Sequence, residues 1–254
     1  MYIIECLLWG RAPSAAAIFA AVELSDFERA GNQGVNPDLY EVENRALDPD
    51  GLVLAVMRHL SPWSGRVLVD LGCGSGFWLS GYADEAARVI GVEPDPTLVP
   101  LAARRDRRVA VHLGSAEHIP LDDASVDVVH ARFAYFFPPG CDAGLAEAMR
   151  VLTPGGALVV VDNDHRAGEF ADLLAASAWA APQGNADEID AWWQARGAER
   201  VEVMSRWQFQ SRADFASVLR LEFPADVADP WLTAHPEATG LTYGYTLFKV
   251  CKAR

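Results

Sequence analysis

From Arg66 onward the chain alternates short apolar runs with amphipathic stretches. The runs are Arg66–Leu71, Arg88–Val92, Arg108–Leu113, Val126–Ala131, Ala157–Val161, Val201–Phe209 and Leu241–Cys251. The first five are rich in Val, Ile and Leu and recur at intervals that leave room for crossover helices. That pattern predicts an α/β fold with a parallel sheet covered on both faces. The last two runs alternate polar with apolar positions, as Thr242, Gly244 and Thr246 do against Tyr243, Tyr245 and Leu247. Such alternation predicts antiparallel strands near a sheet edge.

Upstream, Leu52, Val53, Val56, Met57 and Leu60 form an apolar stripe. It predicts a helix over Gly51–Leu60, capped by Asp50 and stopped before Pro62. The first 35 residues are Ala-rich and then polar (Gly31, Asn32, Gln33, Gly34), as in a terminal helix and loop. We expect a single domain over residues 51–254, preceded by an N-terminal extension or lid over residues 1–50.

Composition narrows the class. Of 254 residues, 51% are hydrophobic and 22% charged, which suits a globular chain with a full core. Twenty-one basic against 35 acidic residues leave a net charge of −14. Such a surface repels phosphate backbones, so no nucleic acid and no anionic membrane is expected as a partner. Met1–Val22 is apolar but interrupted by Glu5, Arg11 and Pro13, with no basic region ahead of it. It reads as a loosely attached leader, with a poorly formed secretory signal as the alternative. No apolar run is long enough to predict a spanning helix. Cys6, Cys73, Cys141 and Cys251 form no CxxC pair, which suits a reducing, cytoplasmic setting.

The densest signal is Val67-Leu-Val-Asp-Leu-Gly-Cys-Gly-Ser-Gly-Phe-Trp78. An apolar strand runs into a glycine-rich turn, and a helix is expected from about Gly76. Glycines there let the backbone turn tightly and approach a ligand with no Cβ in the way. Unpaired N–H groups at the helix start would favour an anionic group. Asp70 precedes the turn as a carboxylate able to meet loop amides or a cation. The next strand ends in Glu93-Pro94, 21 residues after Gly72. An acid at that place can accept both hydroxyl protons of an adenosine ribose. The third glycine of a dinucleotide fingerprint would fall at position 77, where Phe77 stands and leaves less room for a pyrophosphate.

Asp70-Leu-Gly-Cys-Gly-Ser-Gly76 resembles the signature loop of the class I S-adenosylmethionine-dependent methyltransferases. The resemblance continues through Glu93, Gly114-Ser-Ala-Glu-His-Ile-Pro120, Ser125–Phe133 and Arg150-Val-Leu-Thr-Pro-Gly-Gly-Ala-Leu158, covering about residues 66–165. It implies a doubly wound, Rossmann-like seven-stranded sheet of order 3-2-1-4-5-7-6 with the last strand antiparallel. It also implies S-adenosylmethionine as cofactor. On that resemblance Asp70 and the backbone of Gly72, Cys73, Gly74 and Gly76 receive the methionine end, and Glu93, followed by Pro94, grips the ribose. Ser115, Ala116 and Glu117 flank the adenine, and Ala131, Arg132 and Phe133 close the pocket. Tyr40 belongs to a segment that folds over the cofactor in many relatives and could touch its carboxylate. Ser115 stands where the family often has Asp, which implies a weaker hold on the adenine amino group.

Methyl transfer is an in-line displacement, served by alignment and exclusion of water. A base is needed only if the acceptor arrives protonated. His130 and His165 are candidate bases, Tyr135 a pocket wall or proton relay, and Arg132 an anchor for an acidic substrate. Asp162-Asn-Asp-His165 resembles part of the magnesium site of catechol-type methyltransferases. Ala131 and Arg132 stand where those enzymes need a carboxylate, so no metal is expected. Trp192 and Trp193 could line an apolar pocket or pack a helix on the sheet. The Arg104–Arg108 run reads as charge at a helix end. The expected function is methyl transfer to a small-molecule acceptor. The alternatives are an NAD-type oxidoreductase and a catalytically silent nucleoside-binding scaffold. The acceptor atom and the oligomeric state are left open.

Overall fold

The computed structural model describes Leu24, Asn32 and residues 36–177 and 185–254. Apart from those two residues, the stretch read as leader, terminal helix and loop lies outside the described residues. Seven strands form one sheet of order β3-β2-β1-β4-β5-β7-β6. They are β1 (Val67–Leu71), β2 (Arg88–Glu93), β3 (Ala110–Leu113), β4 (Val126–Arg132), β5 (Leu152–Asn163), β6 (Glu199–Gln208) and β7 (Gly240–Cys251). All seven apolar runs fall on strands, and β1 to β5 pair in parallel.

The end of the sheet has the antiparallel pairing that its alternation predicts and the strand order that the resemblance implies. Only β7 is reversed, pairing antiparallel with both β5 and β6. It is therefore an interior strand, buried over most of its middle. The edge is β6, where exposed and buried residues alternate because only one face is covered.

The described helices are α1 (Pro37–Ala46), α2 (Leu52–Leu60), α3 (Leu79–Ala83), α4 (Val99–Arg105), α5 (Asp142–Val151), α6 (Glu169–Ala176), α7 (Ala186–Gln194), α8 (Arg212–Glu222) and α9 (Ala225–Ala234). The cap of α2 differs from the expectation. Asp48, not Asp50, accepts the N–H groups of Leu52 and Val53, at 3.0 and 2.8 Å. Gly51 takes a left-handed φ of 69° between the cap and the helix, and Asp50 instead pairs with Arg206. Ser205 on β6 donates to Asp48 at 2.7 Å, so this cap also ties α2 to the sheet edge.

Strand alternation divides the core between the two faces of the sheet. Leu68 and Val128 pack with Met57, Trp63, Tyr82 and Phe215 on one face. Val69, Val129, Ala131 and Phe136 pack with α5 and α7 on the other. Trp193 stacks on Phe248 at 5.0 Å and is a core residue, while Arg196 covers Trp192. The tryptophan pair thus packs a helix on the sheet. No described helix is long and apolar enough to cross a membrane.

Candidate functional site

Three glycines shape the turn after β1. Gly72, Gly74 and Gly76 adopt φ of +75°, +57° and +84°, a region closed to most side chains. A Cβ on Gly72 would lie 2.5 Å from the Ala134 Cβ, and one on Gly76 2.8 Å from the Ala102 Cα. Gly76 therefore serves the packing of the turn against α4. Four amides of the turn are already committed within the protein. Gly72 and Cys73 donate to the Val92 carbonyl, Gly76 donates to the Cys73 carbonyl, and Gly74 donates to the Glu93 carboxylate. Helix α3 also starts later than expected, at Leu79. The turn thus offers close approach, with the Gly72, Cys73, Gly74 and Gly76 amides spent on the protein itself.

A cleft of about 480 Å³, counting its open mouth, lies above this turn. Tyr40, Asp70, Gly72, Gly74, Arg132 and Phe133 are among its walls. Tyr40 arrives on α1, whose N-cap Asn36 accepts the Leu39 N–H at 3.1 Å. Glu41 on the same helix accepts the Ser75 hydroxyl at 2.6 Å and pairs with Arg105, fastening α1 to the glycine turn. Arg105 is thereby neutralised, and Arg108 pairs with Asp84 and Asp106. Burial, and then Glu43, push the Tyr40 hydroxyl well above its ordinary pKa, so it is neutral and can donate.

Asp70 is 3% exposed and forms no hydrogen bond or ion pair with a described residue. Burial raises its carboxyl to about 7, against the opposing pull of Arg132. The Arg132 guanidinium lies 3.9 Å over the Trp78 ring and 3.4 Å from the Met57 sulfur. Its Nε is buried without a partner, and no described acid reaches it as an ion pair. An acid and a guanidinium thus border one cleft, each within the other's field but neither held in an ion pair with a described residue.

Glu93 grips the loop before any ligand. Its Oε2 accepts the Gly74 N–H at 2.7 Å and its Oε1 the Asp95 N–H at 2.9 Å. Each oxygen keeps a second lone pair. Burial raises the carboxyl to about 7, with both backbone bonds pulling it down. The half-buried Pro94 follows it. Beyond β3, Ser115 accepts the His118 N–H at 3.1 Å, Ala116 is buried, and Glu117 accepts the Tyr135 hydroxyl at 2.8 Å.

Several candidates stand elsewhere than expected. Ala131 points into the core on the opposite face, so of Ala131, Arg132 and Phe133 only the last two border the cleft. His130 is fully buried, ringed edge-on by Trp63 and Tyr82 at 5.1 Å, with neither ring nitrogen bonded. Burial, and then Arg132, lower it to about 3, so it is a neutral core residue with no path to a substrate proton. Tyr135 also accepts the Gly144 N–H at 3.1 Å and lies flat against Gly144, where a Cβ would come within 2.2 Å. It clamps Glu117 to α5 and is not a wall of the cleft. His165 sits half-buried just past β5, its pKa lowered chiefly by burial. Asp162 and Asp164 accept the neighbouring N–H groups of Asn163 and Arg166. Among the described residues no group of three or more His, Cys, Asp or Glu side chains could hold a metal ion.

The donors fit S-adenosylmethionine. Its amino-acid end carries an ammonium and a carboxylate, which answer Asp70 and Arg132. The missed signal was Trp78, which holds Arg132 by its ring face; a tryptophan directly after the glycine turn was the available clue.

Residues 69–160 match the family described as Methyltransferase domain. An uncharacterized methyltransferase of Mycobacterium tuberculosis (strain ATCC 25618 / H37Rv) is 35% identical over 116 residues, 45% of this chain and 47% of its own. The malonyl-[acyl-carrier protein] O-methyltransferase of Serratia marcescens is 31% identical over 142 residues, 55% of this chain and 48% of its own. The chain thus spans about half the length of the curated relatives it matches. The structure of Haemonchus contortus phosphoethanolamine N-methyltransferase 2 in complex with S-adenosyl-L-methionine superposes with a TM-score of 0.54 at 18% identity, covering 87% of this chain and 58% of that one. These matches lend no support to an oxidoreductase or to a silent scaffold.

Proposed function

We propose, on the premise that this chain carries a class I S-adenosylmethionine-dependent methyltransferase domain, that it methylates a small-molecule acceptor. The observation that carries this reading is the pair Asp70 and Arg132, both lining one cleft above positive-φ glycines and neither held in an ion pair with a described residue. When bound, the cofactor supplies an electrophilic methyl on a sulfonium sulfur. Asp70 would accept from its ammonium, Arg132 would hold its carboxylate, and Tyr40 would donate to that carboxylate from above. Glu93 would use its spare lone pairs on the ribose hydroxyls. Ser115, Ala116 and Glu117 would border the adenine.

The protein's contribution to rate is then alignment and dryness. Phe133 and Trp78 supply apolar walls, and α1 covers the cleft through the Glu41 link to Ser75 and Arg105. Of residues 1–50 the described helix α1 is thus the part that acts as a lid, over a domain of residues 51–254. His130 and Tyr135 are withdrawn as a base and a relay because their rings are committed to packing. His165, partly exposed and neutral, keeps the capacity to take a proton. The acidic net charge supports a reading without nucleic-acid partners, and the free thiols Cys73, Cys141 and Cys251 support a cytoplasmic one.

The test is calorimetric binding of S-adenosylhomocysteine to Asp70→Asn and Arg132→Ala. Each is expected to lose at least tenfold in affinity while the thermal transition stays cooperative. Unchanged affinity in both folded variants would remove the amino-acid end from this cleft.

A further inference from the structure

A second polar cluster lies beside the cleft. On α1, Tyr40, Glu43 and Asn44 recur at helical spacing and share one face, with Leu47 following as the C-cap. Tyr40, Asn44 and Leu47 line the cleft, so Glu43 stands on the same stripe. It is 6% exposed, and its Oε2 has no hydrogen-bond partner. Its carboxyl bonds that of Glu222 on α8, whose Oε1 also accepts the Asn32 side-chain amide at 2.9 Å. Two carboxyls in contact hold one proton between them and keep one negative charge. No described Lys, Arg or His forms an ion pair with either.

An aromatic cluster continues from Phe133 beyond the lining of the cleft. Tyr243 stacks between Phe170 at 3.8 Å and Tyr245 at 4.3 Å, and its hydroxyl donates to Asn163. Phe133, itself a wall of the cleft, lies 6.0 Å from the Tyr245 ring. Tyr245 is 1% exposed, and its hydroxyl also lacks a partner. A buried Glu43 oxygen with no partner, beside the half-buried Glu222, costs stability unless something fills it. Aromatic faces and a net negative carboxyl pair together favour a cation bearing N–H donors.

We propose that Glu43, Glu222 and Tyr245 form the methyl-acceptor subsite, and that it takes a protonated amine. The inference rests on the methyltransferase reading above. An incoming ammonium gives one proton to the ionised member of the Glu43–Glu222 pair, which becomes two neutral carboxyls. The freed nitrogen lone pair forms the bond to the methyl carbon as the carbon–sulfur bond breaks, its electron pair staying on sulfur. The product is a methylated ammonium. The positive charge leaves the sulfur and remains on nitrogen. A carboxylate acceptor would be repelled by the pair.

Three ligands of one skeleton test this: 2-phenylethylamine, 2-phenylethanol and phenylacetate, titrated calorimetrically with and without saturating S-adenosylhomocysteine. The amine is expected to bind at least tenfold tighter than the alcohol, and phenylacetate weakest. Glu43→Gln and Glu222→Gln are each expected to lose at least tenfold in amine affinity while S-adenosylhomocysteine affinity stays within twofold, which shows that each variant is folded. An alcohol or acid that binds as well as the amine would overturn the proposal. So would failure of the amine to bind a protein that binds S-adenosylhomocysteine, or amine affinity unmoved in both variants. Loss of nucleoside binding would instead overturn the methyltransferase reading, while the amine preference measured without nucleoside still decides the subsite.

Discussion

Glu93 accepts the Gly74 N–H at 2.7 Å, so the acid at the end of β2 holds the glycine turn at the end of β1. A second bond, from the Asp95 N–H at 2.9 Å, fixes the other oxygen. The residue read as a ribose ligand thus also braces the floor of the cleft. Glu93→Ala is expected to lower both stability and S-adenosylmethionine affinity, each charged hydrogen bond being worth about 1.5–3 kcal/mol. Thermal melting and calorimetry check the two effects. Full affinity in a folded variant would take Glu93 out of the site.

Gly76 meets the backbone of α4, and no side chain fits there at φ +84°. Gly76→Ala is expected to cost about 1–3 kcal/mol through overpacking alone. The transition temperature would fall by about 2–4 °C per kcal/mol in a chain of this size. Gly81, with open space at its Cβ position, is the control, and Gly81→Ala is expected to leave the transition unlowered.

Asp70, Glu93 and Asp162 are each raised by burial to about 7. In the unfolded chain they ionise near 4, so the folded protein binds more protons between about 4 and 7. These groups therefore stabilise the free protein fully below about pH 4, and that stability is lost as pH rises through 7. Binding a ligand with an ammonium has the opposite sign, because it favours ionised Asp70. S-adenosylmethionine affinity is expected to rise by up to tenfold per pH unit below about 7 and flatten above it. Calorimetry in buffers of different ionisation enthalpy reads the released proton, and Asp70→Asn is expected to abolish that release.

His130 is expected to stay neutral through pH 5–8, with ring NMR shifts that do not move. His130→Ala is expected to destabilise the fold because Trp63 and Tyr82 lose the ring they enclose. A titration midpoint near 6.5 would return the imidazole to the candidate bases.

The strands were legible because burial on both faces demands unbroken Val, Ile and Leu, and the turn because glycines cluster only where a side chain cannot go. The family resemblance supplied the strand order; the alternation alone placed β6 and β7 near an edge without saying which is outermost. Helix boundaries were less legible. Asp48 caps α2 from beyond a left-handed Gly51, and Leu79 starts α3 only after Phe77 and Trp78 complete the turn. The orientation of Ala131 and the enclosure of His130 follow from strand parity, which a run of uniformly buried residues hides. The contact between Glu43 and Glu222 joins helices at opposite ends of the chain, and no local pattern announces it.

The most direct measurement is calorimetric titration of the purified protein with S-adenosylmethionine, S-adenosylhomocysteine and NAD in parallel. Binding of both sulfur nucleosides, with no heat from NAD, is the expected result. Binding of NAD alone, or silence with all three, would contradict the assignment of the Asp70–Arg132 cleft to S-adenosylmethionine.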